Sequence, residues 1–111
     1  MSDAEHIEVT QSSGNVFADL GLPDAEDLYA KSLLSIVIAR TIRARGLTQA
    51  DAAVLLGTTQ PKVSELIRGR LSGFSIERLF RFLNALGMNV RIHVSEADPA
   101  AEPAQTLVEV G

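Results

Sequence analysis

A chain of 111 residues, 46% of them hydrophobic, fits one compact domain with free ends, because folding units cluster near ~100–150 residues. Four Phe, one Tyr, no Trp and no Cys exclude disulfides, thiolate metal sites and cysteine nucleophiles, and leave a core of Leu, Ile, Val and Ala that suits packed helices and an all-α fold. The net charge of −4 excludes a uniformly basic surface, but residues 28–94 hold all ten Lys and Arg against three acids, a net of +7, and the ends hold the other eleven acids.

Residues 1–15 are polar, carry Asp3, Glu5 and Glu8, and include the turn-rich run Ser12-Ser13-Gly14-Asn15. They read as a flexible N-terminal arm and lack the apolar stretch of a secretory signal. Val16, Phe17, Ala18 and Leu20 then form a brief apolar cluster, ended by Gly21 and Pro23, that predicts a short helical turn docked on the core. Asp24, Glu26 and Asp27 place acids at a helix start, where N–H groups are exposed. Ala30, Leu33, Leu34, Val37, Ile38 and Ile42 follow with three-and-four spacing, and Ile36 widens the stripe. Arg40, Arg43 and Arg45, read as solvated or paired with acids, and then Gly46 mark the end of this long central helix.

Thr48 is a natural N-cap for the next helix, with Asp51 at the third helical position, a variant of the capping box with Asp for Glu. Gly57 ends that helix. Thr58 and Thr59 can cap a further helix over residues 60–68, where Pro61 sits in the first turn and its missing amide would have had no partner; Gly69 closes it. Residues 70–74 read as a loop. Ser75 caps a last helix with Ile76, Leu79, Phe80, Leu83 and Leu86 at core spacing and Gly87 as the stop.

In residues 88–94 the period changes. Val90, Ile92 and Val94 alternate with Asn89, Arg91 and His93, which predicts a β-strand, and a lone strand needs a partner for its backbone groups. Residues 95–111, rich in Ala, Pro and acids, read as a disordered acidic tail in which Leu107-Val108-Glu109-Val110 could add a short strand. No stretch approaches the ~18 apolar residues of a membrane span, and the expected location is cytoplasmic.

The helices expected at residues 49–56 and 60–68 have the order and spacing of a helix-turn-helix. Ala53 is small where the helices cross, Gly57 permits the turn, and Val63 and Leu66 anchor the second helix. The residues Leu47-Thr48-Gln49-Ala50, Gly57-Thr58-Thr59-Gln60 and Leu66-Ile67-Arg68-Gly69 resemble the phage-repressor-like family of DNA-binding proteins, the Cro/repressor or XRE type. The wider run from Ser13 to about Val94 looks like a subgroup that includes the HigA-like antitoxins of toxin–antitoxin operons. The resemblance implies a four- to five-helix repressor-like domain over residues 16–94 that binds double-stranded DNA as a homodimer, without a cofactor.

On a helical wheel Val63, Leu66 and Ile67 point inward, and Pro61, Ser64, Glu65 and Arg68 occupy the far side with Gln60 and Lys62 at the edges. Gln can read adenine, Lys and Arg can contact guanine or phosphate, and a Ser hydroxyl can serve either base or backbone. By the resemblance Gln60 is the first choice for base reading and Gln49 for a phosphate grip at the preceding helix start. Thr59, Lys62, Arg68 and Arg70 are further phosphate candidates. Glu65 departs from a favourable pattern, since phosphate repels a carboxylate unless it accepts from cytosine or pairs with Arg68, and Pro61 replaces a potential reader.

One recognition helix reads few bases, so two copies about one DNA turn apart are expected. Val90, Ile92 and Val94 are the expected dimerisation residues, assisted by Leu79, Phe82 and Leu83; the spacing does not choose between self-pairing and pairing with another protein. The acidic ends could instead mask a basic toxin. Catalysis has no motif: His6 and His93 are far apart in the chain, no metal site is expected, and Asp51, Glu65 and Glu77 read as capping or pairing acids.

Overall fold

The computed structural model describes residues 25–101 and 103–111. The expected arm at residues 1–15, the short helical turn near Phe17 and the cap at Asp24 lie outside the described residues. Four helices follow in order: α1 (Ala25–Ala44), α2 (Gln49–Leu56), α3 (Gln60–Ile67) and α4 (Ile76–Ala85). The chain divides into two compact units, Lys31–Val90 and a second made of Met1–Ala30 with Arg91–Gly111.

In Lys31–Val90 the core is aliphatic, with Leu33, Leu34, Ile38 and Ile42 of α1 buried together with Ala52, Ala53 and Leu56 of α2 and Val63 and Leu66 of α3. Leu79, Phe82, Leu83 and Leu86 supply the stripe from the last helix and its cap. Ile36, expected to widen the α1 stripe, is 44% exposed. Phe82 is buried where Phe80 was expected, and Phe80 is half-buried. At 3.6 residues per turn, Phe80 falls about 100° from Leu79 and leaves the stripe, whereas positions 79, 82, 83 and 86 share one face.

Each helix ends in the same way. The glycine after it has a positive φ, and paired backbone bonds close the turn: Gly46 to Arg43 with Leu47 to Ile42, Gly57 to Val54 with Thr58 to Ala53, Gly69 to Leu66 with Arg70 to Glu65, and Gly87 to Asn84 with Met88 to Leu83. This is the Schellman arrangement, which satisfies carbonyls that the helix leaves open. Arg45 adds a tertiary tie by donating to the Leu86 carbonyl at 2.6 Å. Thr41 Oγ1 is satisfied by the Val37 carbonyl at 2.8 Å, and the buried Ser35 hydroxyl by Ser32 at 2.8 Å.

The β-strand expected at residues 88–94 is not formed. These residues carry no ladder, and Ile92 and Val94 are 73% and 88% exposed. Their alternation matches a strand, but no neighbouring segment among the described residues supplies the pairing that defines one. The fold is therefore all-helical over its described elements, with a lone β-bridge position at Val110. Leu79, Phe82 and Leu83, expected to assist a dimer contact, are 0%, 3% and 5% exposed and belong to the core.

Within the second unit, Ala100 donates to Asp98 Oδ1 at 2.9 Å and Ala101 to the Asp98 carbonyl at 3.1 Å, which makes a turn in the segment expected to be a disordered tail. The Thr106 amide donates to Glu26 Oε2 at 3.2 Å, joining that segment to the first turn of α1. No helix among the described residues is long and apolar enough to cross a membrane.

Candidate nucleic-acid interface

The start of α2 is fixed by a reciprocal cap. Asp51 N–H donates to Thr48 Oγ1 at 3.0 Å, and Thr48 N–H donates to Asp51 Oδ2 at 3.4 Å, so the shorter Asp closes the box that Glu usually closes. Gln49 is the first residue of α2 and is half-buried. Ala52 and Ala53 are buried, and α3 packs against α2.

The turn between the two helices depends on Gly57, at φ 69° and ψ 35°. An L-residue there would carry left-handed strain, although a Cβ would meet nothing within 4 Å. The requirement is conformational, not steric. Thr59 then adopts an extended conformation and its side chain accepts from Lys62 N–H at 3.4 Å, which starts α3 with Pro61 in its first turn.

Val63 and Leu66 are both 1% exposed and turn α3 onto the core. Away from that face Gln60 and Pro61 are exposed and Ser64 and Glu65 half-buried, and beside the helix Thr59, Arg68 and Arg70 are exposed. Ile67, expected to point inward, is half-buried, and Arg68 is the C-cap and not the last helical residue. The expected contact residues from Thr59 to Arg68 thus lie along one helix and its two caps, Arg70 follows the closing glycine, and Gln49 stands at the start of the helix packed against it.

Lys62 is placed differently from its neighbours. Its ammonium lies 5.1 Å from the centre of the Phe74 ring. Phe74 lies in the segment whose sequence reads as a loop, yet it is 2% exposed. The signal for its burial was present in the sequence: Phe74 precedes the N-cap Ser75, and Leu79 follows at the position where an apolar partner staples a helix entry. Arg78 carried no such signal. It donates to Thr58 Oγ1 at 3.0 Å and lies 5.5 Å from the centres of both Phe74 and Phe82, linking α4 to the turn before α3.

His93 is exposed, and no group of three or more His, Cys, Asp or Glu among the described residues could hold a metal ion. His6 lies outside the described residues.

A family model described as "Helix-turn-helix domain" matches residues 16–95. A solved structure described as "Putative XRE Family Transcriptional Regulator" superposes with a TM-score of 0.73 at 41% sequence identity, covering 78% of this chain and 97% of that chain. No curated protein matches the chain. The capped α2, the glycine turn and the outward polar side of α3 agree with both likenesses: the chain belongs to the helix-turn-helix domain family and is of the XRE type.

Proposed function

We propose that this protein is a sequence-specific DNA-binding transcriptional regulator, a repressor that occupies an inverted repeat as a homodimer. The observation that carries this reading is the outward side of α3, polar and open, on a helix whose start, turn and inner face are all fixed. The 41% identical solved chain described as an XRE family regulator supports it. Gln60 reads a base edge from the N-terminal end of α3, with Ser64 and Glu65 following along the groove. Thr59, Arg68 and Arg70 contact phosphates on either side, and Gln49 holds one at the N-terminus of α2.

Val90, Ile92 and Val94 supply the dimer contact. Pairing two copies of this segment antiparallel would satisfy its backbone and cover Ile92 and Val94 together. The protein acts by occupancy of DNA and performs no reaction.

Selection of duplexes from a random pool by the purified protein, with its mass in solution recorded alongside, tests the proposal. An enriched inverted repeat and a mass of two chains are expected. A folded protein that enriches nothing would overturn the DNA-binding reading.

A second reading, in which the protein is a HigA-like antitoxin that neutralises a basic toxin, draws on the eleven acids outside residues 28–94. A neighbouring reading frame for a small basic protein, and capture of that protein by the purified chain, would favour it.

A further inference from the structure

Phe74 belongs to no helix but joins two. Lys62 of α3 and Arg78 of α4 both place their cations over its ring, at 5.1 and 5.5 Å from the centroid. Phe82 meets the same ring edge-on, at 6.1 Å and 72°. Arg78 also donates to Thr58 Oγ1 at 3.0 Å, in the turn that precedes α3. The ring and the guanidinium thus hold α3 at two points, the turn before it and a side chain of its first turn.

Gly73 makes room for this arrangement. A Cβ there would fall 2.8 Å from Lys62 Nζ and 4.0 Å from Glu65 Oε2. Gly73 is not one of the glycines with positive φ, so its missing side chain serves the neighbouring ammonium and not the backbone. A cation over an aromatic face is drawn to the ring quadrupole, more strongly when partly removed from water. Lys62 is half-buried, and its ammonium points toward the loop and away from the open side of α3.

We propose that Lys62 and Arg78 are positioning residues: by clamping Phe74 and Thr58 they set the pose in which α3 presents Gln60 and Ser64, and they do not themselves contact DNA. This rests on the DNA-binding reading above. It separates Lys62 from the phosphate contacts that its charge suggests.

The test uses the full chain and the duplex that the wild type enriches, with affinity measured over a range of salt. Gly73→Ala is the mild variant, because its Cβ obliges the Lys62 ammonium, the far end of a flexible side chain, to shift without removing its charge. Lys62→Ala, Phe74→Leu and Arg78→Ala should each weaken binding to that duplex about fivefold, the scale of a lost cation–ring contact, and Gly73→Ala by less. The salt slope and the preference at each base pair should stay as in the wild type, and Lys62→Ala combined with Phe74→Leu should bind no worse than the weaker single variant. Arg81→Ala removes the same charge from an exposed position of α4 and should weaken binding less than Arg78→Ala.

The clamp is overturned if Lys62→Ala flattens the salt slope by about 0.9, the mark of one lost phosphate contact, or erases preference at one base pair. If the wild type enriches no duplex, the DNA-binding reading falls by itself. The clamp is then judged by thermal unfolding: non-additive losses for Lys62→Ala with Phe74→Leu support it, and additive losses overturn it.

Discussion

At the scale of single residues, the helix ends show which positions tolerate change. Replacing Gly57 with Ala introduces no clash, because a Cβ there meets nothing within 4 Å, so the whole cost is the left-handed backbone, about 1–2 kcal/mol. For a domain of this size that lowers the unfolding midpoint by roughly 4–8 °C per kcal/mol. Gly57→Asn should lose less, since Asn visits this conformation more readily. Equal losses for the two variants in a thermal melt would mean that the turn relaxes instead of holding its φ. Arg45 makes a different kind of contribution, because its guanidinium is the partner of the Leu86 carbonyl at 2.6 Å. Arg45→Ala should destabilise by about 1 kcal/mol, below the ~1.5–3 kcal/mol usual for a hydrogen bond with a charged donor, since the residue is otherwise exposed. A denaturant midpoint unchanged from the wild type would show that water replaces the bond at no cost.

At the scale of elements, α4 separates what periodicity shows from what it misses. Phe82 is 3% exposed and Phe80 half-buried, so Phe82→Ala should cost about 3–5 kcal/mol, as for other buried aromatics, and Phe80→Ala clearly less. Urea unfolding of both variants decides this, and equal losses would place Phe80 in the core as well. The sequence showed α1 to α4 because each begins at acids or a hydroxyl and stops at a glycine: Thr48, Thr59 and Ser75 are the caps, and Gly46, Gly57, Gly69 and Gly87 the stops. These signals are local, within four residues of the boundary they set. The strand signal at Val90, Ile92 and Val94 was of another kind, because alternation states only that one side would be apolar if a partner were present. The Arg78 bond to Thr58 spans twenty positions, and no local spacing encodes it. The outward side of α3 was legible because Val63 and Leu66 fix the rotation of the helix; the engagement of Lys62 with Phe74 was not, because it depends on the path of the intervening loop.

At the scale of the whole molecule, the uneven charge and the exposed segment around Ile92 bear on the same question. A net charge of −4 with a net of +7 over residues 28–94 is compatible with DNA binding, because the potential at a surface is set by charges within about a Debye length, ~8–10 Å. Such binding should weaken steeply with salt, with a slope in proportion to the number of phosphates neutralised. If the two-fold axis of the proposed homodimer passes at Ile92, Val90 of one protomer faces Val94 of its partner and Ile92 faces its own copy. Ile92→Asp would then set two carboxylates opposite each other, an arrangement that opposes strand pairing, while adding nothing unfavourable to a monomer in which Ile92 is 73% exposed. The expected outcome is a protein that melts as the wild type does, has the mass of one chain, and binds the inverted repeat with about half the salt slope, because one recognition helix is held without the other. A mass of two chains for Ile92→Asp would move the dimer contact away from this segment. One chain with an undiminished salt slope would mean that the two half-sites are filled without contact between protomers.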